Sequence, residues 1–168
     1  RPITVPRSST TTLTDLQRAD QLRRRGELDS ALGAVDRHLK TAPLDIAGRF
    51  LRGVILADLK RTDEALGIFT ELTIQHPQMP EPFNNLAVLY AGMGQLDRAR
   101  VALENAAGAN PASATVQENL GDLYVRLADE AYQRAADLEP ARGALRTKLQ
   151  SIRALGTARP VPASATPN

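Results

Sequence analysis

The strongest constraint on this 168-residue chain is a spacing: residues of one kind recur every 34 positions. Pro43, Pro77 and Pro111 are 34 apart, as are Ala31, Ala65 and Ala99, then Val35, Phe69 and Leu103, then Ala19, Gly53, Ala87 and Gly121. Gly26 and Gly94 share a further column, with Lys60 between them. Fixed self-similarity at such a period marks a unit that cannot bury its apolar face alone, so successive units must stack. Within a unit, Phe83 to Met93 and Asp97 to Ala109 carry helical apolar spacing, separated by Gly94-Gln95-Leu96. Small residues such as Gly53 and Ala65 suit a close crossing of two helices, with Phe69 and Leu103 filling the space behind them and a proline ending the unit. The pattern predicts helices over 13–25, 29–41, 45–59, 63–75, 80–93 and 97–109, and needs no strand.

The run Phe83-Asn84-Asn85-Leu86-Ala87-Val88-Leu89-Tyr90, continued by Gly94, Ala99, Leu103, Ala106 and Pro111, resembles the tetratricopeptide repeat (TPR) family. The likeness covers about residues 12–140 and is weaker in the first two units, where Asp15 and Arg49 replace the family's Trp and Arg18 and Arg52 its Leu. It implies an all-α fold, a TPR α-solenoid of antiparallel helix pairs, with units at about 12–45, 46–79 and 80–113. The Ala- and Arg-rich usage resembles that of proteobacterial members.

A fourth unit, 114–140, has lost its middle. Gly53 to Ala65 and Ala87 to Ala99 are each 12 residues apart, whereas Gly121 to Ala128 is 7, so the turn is missing. Val116, Leu120, Leu123, Leu127, Ala131, Ala135 and Leu138 nevertheless keep a spacing of three or four, which predicts one continuous helix over 115–138. Its far half then needs cover. Residues 141–155 carry Leu145, Leu149, Ile152 and Leu155 on one face and fit an amphipathic capping helix, the competing reading being a homodimer seam through 115–155. The TPR domain is thus read as 13–155, between a disordered leader at 1–12 and a disordered tail at 156–168 that contains Pro160, Pro162 and Pro167.

Composition narrows the chemistry. No cysteine means no disulfide, zinc knuckle or thiol nucleophile, no apolar run is long enough to span a membrane, and a net charge of +2 is too small to indicate nucleic acid. His38 and His76 lack partners at metal-ligand spacing and read as solvated helix-end residues. Asp63-Glu64 and Asp129-Glu130 are neighbours that point in different directions on a helix and cannot share a substrate. The Arg23-Arg24-Arg25 run sits among acids with no interleaved aromatics, so solvated cations are the default and an acidic partner the alternative. Nothing here suggests an enzyme, a metal or a cofactor.

What the resemblance does imply is a groove. TPR first helices line a concave face, which here carries Leu16 and Asp20, Phe50 and Val54, Asn84 and Val88, and Glu118 and Asp122, flanked by the column Gln17, Leu51, Asn85, Asn119. Asn85 and Asn119 look like the asparagine ladder with which some TPR proteins hold a peptide backbone, since an amide both donates and accepts; the alternative is that they bridge neighbouring helices. The Lys and Arg of a carboxylate clamp are absent from these columns. The reading is a non-catalytic adaptor that binds a peptide, apolar toward the amino-terminal units and basic toward the carboxyl-terminal ones, in bacterial envelope or complex assembly. A secretion-type chaperone holding a client's apolar segment and a self-associating assembly module are the alternatives. The first residue, Arg1, suggests export to the periplasm, with the cytoplasm as the alternative.

Overall fold

The computed structural model describes residues 14–156. The expected leader, 1–12, and the tail from 157 onward lie outside the described residues, whereas Gly156, assigned above to the tail, is the last residue of a helix. The described residues form α1 (Asp15–Arg24), α2 (Leu28–Thr41), α3 (Ile46–Asp58), α4 (Thr62–Gln75), α5 (Pro80–Gly92), α6 (Leu96–Ala109), α7 (Ala114–Leu138) and α8 (Gly143–Gly156), with no strand among them. Side-chain caps start three of them: Thr14 with Gln17 in a capping box, Asp45 on the Gly48 N–H, and Ser113 on the Val116 N–H. Pro80 opens α5 where its missing N–H costs nothing.

Each of the first three units reverses direction by the same device. Gly26, Lys60 and Gly94 have φ of +79°, +62° and +74°, and the next N–H (Glu27, Arg61, Gln95) reaches back to the carbonyl of Leu22, Leu56 or Tyr90 at 2.9–3.0 Å. This left-handed closure satisfies carbonyls that a helix end otherwise leaves orphaned. Glycine adopts it without strain; Lys60 adopts it against the clash of its own Cβ.

Packing then follows the columns. Ala31, Ala65 and Ala99 are fully buried, as are Val35 and Phe69, with Leu103 nearly so. A Cβ placed on Gly53 would lie 2.9 Å from the Phe69 ring, so α3 and α4 cross where only glycine fits. First helices touch one another, α1 to α3, α3 to α5 and α5 to α7, while α2, α4 and α6 do not. The first helices are therefore the crowded inner layer and the second helices the splayed outer one, which curves the solenoid. One core cluster joins α1, α2 and α3, and a larger one runs from α3 to α7.

The fourth unit is the predicted fused helix. α7 runs 25 residues without a break, and α8 lies against its far half, burying Leu145 and Leu149 and joining Arg153 to Asp129 and Gln133 at 2.7 Å each. With no second helix folding back, Gly121 has nothing within 4 Å of its Cβ position, unlike Gly53 in the same column.

One sequence expectation needs correction. His38 is not simply solvated: its Nε2 hydrogen-bonds Asp45 Oδ2 at 2.8 Å, and the same oxygen accepts from the Gly48 N–H at 2.9 Å. The residues are seven apart, so the turn between α2 and α3, rather than helical spacing, brings them together. Burial pushes the Asp45 carboxyl up, but the bonds from His38 and Gly48 outweigh it and hold its pKa below the ordinary value.

Two outcomes follow. Gly53→Ala should lose about 1–3 kcal/mol by overpacking against Phe69, while Gly121→Ala, in open space on a helix, should gain about 0.5–1 kcal/mol, both read from urea unfolding. Asp45→Ala should cost about 1 kcal/mol at neutral pH. Because the folded pKa is lowered, that contribution is full above the unfolded carboxylate value near ~4 and disappears as pH falls through the folded value. The difference between the two proteins should therefore shrink in acid-unfolding curves.

Candidate functional site

The inner layer decides what a ligand could reach. Phe50, expected on the groove, is 2% exposed and stacks edge-on against Phe69, ring centroids 5.5 Å apart, so it belongs to the core. Asn84, Asn85 and Asn119 are also buried, at 1%, 4% and 4% exposure. Asn119 Nδ2 donates to Asn84 Oδ1 at 2.7 Å, linking α7 to α5, and Asn85 Nδ2 donates to the Glu81 carbonyl at 2.9 Å within α5. In this structure the amides therefore bridge or brace helices, the alternative left open above, and Asn85 and Asn119 do not act on each other. Asn84 Nδ2, Asn119 Oδ1 and Asp122 Oδ2 are buried without a hydrogen-bond partner among the described residues. Asn119 and Asp122 border a space of only about 20 Å³ beside Val88 and Arg126, too small for a peptide side chain. Arg126 Nη2 donates to the Ala91 carbonyl at 3.1 Å and closes that end.

The accessible part of the wall lies one unit earlier. A hollow of about 380 Å³ opens between α3, α5 and the α3–α4 turn. Val54, Asn85 and Val88, three of the residues picked from sequence, border it together, Val54 and Asn85 as buried residues beneath it and Val88 as a half-buried one on its wall. Ala57, Leu89 and Met93 extend its apolar wall, and Asp58, Lys60 and Thr62 form a polar edge. Lys60 was missed because the turn column reads as a connector; the signal was a bulky residue where Gly26 and Gly94 stand in the neighbouring units. Its left-handed backbone sits on the rim of the hollow.

The remaining candidates are elsewhere or engaged. Gln17 is exposed and caps α1 with Thr14. Asp20 pairs with Arg23 at 3.4 Å and Arg24 at 2.8 Å, and Arg23 also reaches Asp58 at 3.3 Å, so two cations of the arginine run are held by local carboxylates. Glu118 is exposed on α7. Among the described residues no group of three or more His, Cys, Asp or Glu is placed to hold a metal, and no helix is long and apolar enough to cross a membrane.

The buried pair gives a stability prediction. Replacing Asn119 alone by Leu strands the Asn84 amide and should cost about 1–3 kcal/mol. The corresponding columns of the first two units carry Leu16 and Leu51, so adding Asn84→Leu should recover much of the loss, a coupling of about 0.5–3 kcal/mol in a double-mutant cycle.

Comparison with known proteins agrees with this architecture. The family model described as "Psidin, N-terminal TPR repeats region" matches residues 23–139. No curated protein matches the chain in sequence. Among solved structures, the thermophilic TPR protein TTC0263 of Thermus thermophilus superposes with a TM-score of 0.63 at 24% identity, over 86% of this chain and 82% of that one. MamA (41-end) of Desulfovibrio magneticus RS-1 gives 0.59 at 19% identity, over 86% and 75%. A chain of the Naa15/Naa10 complex bound to HypK-THB gives 0.59 at 18% identity, over 85% of this chain and 22% of that one. At these identities the likeness is one of fold.

Proposed function

The chain belongs to the TPR family of the Psidin N-terminal repeats, and on that premise we propose that it is an adaptor holding an extended segment of a protein partner between α3 and α5. TPR repeats are in general non-catalytic scaffolds for protein contact. The observation that carries the proposal is the 380 Å³ hollow, apolar at its base and polar at its rim, on the inner layer of the solenoid. That volume is in the range of roughly 300–1,000 Å³ typical of ligand sites and accepts a side chain or two of a peptide. Asn85 Nδ2 is committed to the Glu81 carbonyl, which leaves Oδ1 to accept a peptide N–H. Farther along, the exposed carboxylate of Glu118 on α7 favours a basic group on the same segment. The Naa15/Naa10 complex bound to HypK-THB shows the same fold among protein partners, which supports a macromolecular ligand here. Assembly of a bacterial envelope or other protein complex is the setting we propose.

The segment must lose chain entropy on binding, so affinity should be micromolar, roughly −8 kcal/mol. Peptides pairing an apolar residue with a basic one, screened by fluorescence polarisation, supply the test. Val88→Arg, which fills the hollow, should weaken a bound peptide at least tenfold, and Asn85→Ala should weaken it about fivefold, the factor of one hydrogen bond. Gln17→Ala, outside the hollow, should leave it unchanged. Binding by a correctly folded Val88→Arg protein that equals the wild type would overturn the reading.

A further inference from the structure

The fourth unit contains a helix seat that none of the described residues fills. In the second unit, Gly53 of the first helix lies under Phe69 of the second, and in the third, Ala87 is 1% exposed beneath α6. Gly121 stands in that column of α7, yet it is open, with Gln117 and Tyr124 exposed beside it, Tyr124 to 48%. The residues in second-helix columns, Ala128, Tyr132 and Ala135, follow after 7 positions rather than 12 and are carried straight on as the far half of α7. Without a turn they cannot return to Gly121.

The open face continues along the helix. Gly121, Tyr124, Ala128, Ala131, Ala135 and Leu138 are spaced by three or four and form one uncharged strip, with Leu138 83% exposed at its end. α8 covers a different side: its Gly156 approaches Val125, Arg153 bonds Asp129 and Gln133, and Lys148 lies over the Tyr132 ring. Asp129 and Gln133 lie about 100° or more around the helix from the middle of the strip, and Val125 and Tyr132 mark its border with α8. The opposite end of the solenoid is finished differently. Where α3 meets α2 through Leu51, Ile55 and Leu59, the same columns of α1 carry Gln17, Gln21 and Arg25. Two glutamines and an arginine blunt that end, whereas the strip on α7 carries no polar side chain except the Tyr124 hydroxyl.

We infer that the face of α7 is covered by α7 of a second copy, packed antiparallel about a twofold axis. The sizes select a copy of the chain as occupant. With Ala128 set against the second copy's Ala131, Tyr124 meets Ala135 and Leu138 meets Gly121, so each large side chain falls on a small one in both directions, as an isologous contact requires. The shared strip spans 18 residues of helix, about 25 Å, which is shorter than a permanent interface demands, so the dimer is concentration-dependent with micromolar-range dissociation. It uses a face other than the α3–α5 hollow and does not rest on peptide binding.

Sedimentation velocity from roughly 5 to 500 µM, a span centred on micromolar dissociation, should show a monomer giving way to a dimer. Gly121→Leu has room within one chain but blocks the seat of Leu138, and should weaken the dimer at least tenfold with an unchanged circular dichroism spectrum. The chain contains no cysteine, and Gly121→Cys with Leu138→Cys puts thiols too far apart on one rigid helix to join each other. Oxidation of this double variant should therefore give covalent dimers, and neither single variant should match its yield. A chain that stays monomeric throughout, or a dimer indifferent to Gly121→Leu, overturns the inference.

Discussion

The reversal between paired helices is the constraint from which the rest of this structure follows. A residue in the left-handed region at Gly26, Lys60 and Gly94 lets the following N–H close on a carbonyl five residues back, and the second helix is thereby laid antiparallel on the first. Only then can Phe69 cover Gly53, and only then do the alanine columns become a continuous core. Where the reversal is missing, the same kind of sequence builds something else. α7 runs straight through, Gly121 is left uncovered, and the segment that would have been a second helix needs α8 to bury part of its surface.

Curvature has an equally local cause. Because first helices contact each other and second helices do not, the inner wall is crowded and its side chains compete for space. Polar residues placed there meet each other before they meet solvent, as Asn84 and Asn119 do. A buried amide is costly when unpaired, so the pair is a specific link between α5 and α7. The opening in this wall occurs beside Lys60, whose strained turn lines the same hollow as Val54, Asn85 and Val88. Strain of this sort clusters at working surfaces, in keeping with the role proposed for the hollow.

Much of this was legible before any coordinates. The 34-residue columns place every helix of the first three units within a residue or two of its observed end, because turn, small-residue and proline positions are local decisions of the backbone. The 7-residue gap at Gly121 likewise reveals the fused helix, since unbroken apolar spacing leaves no place for a turn. His38 was less readable: its partner Asp45 depends on the path of the chain between α2 and α3, and a lone histidine near a helix end looks solvated.

The boundary between what sequence and tertiary structure decide runs through the inner wall. Sequence alone determines the repeat, its turns, its all-helical class and the exception in the fourth unit, because these depend on spacing and backbone preference. Which wall residues face a ligand is decided only when one first helix is pressed against the next. Phe50 and Val54 on α3 are both pressed into the core, whereas Val88, in the same column as Val54 one unit later, stays half-buried on the wall of the hollow. Asn85 and Asn119 stand in a single column, yet one lines the hollow and the other is locked to Asn84. A column fixes direction along a helix; accessibility depends on what packs across from it, and those partners lie about 35 residues away in the chain.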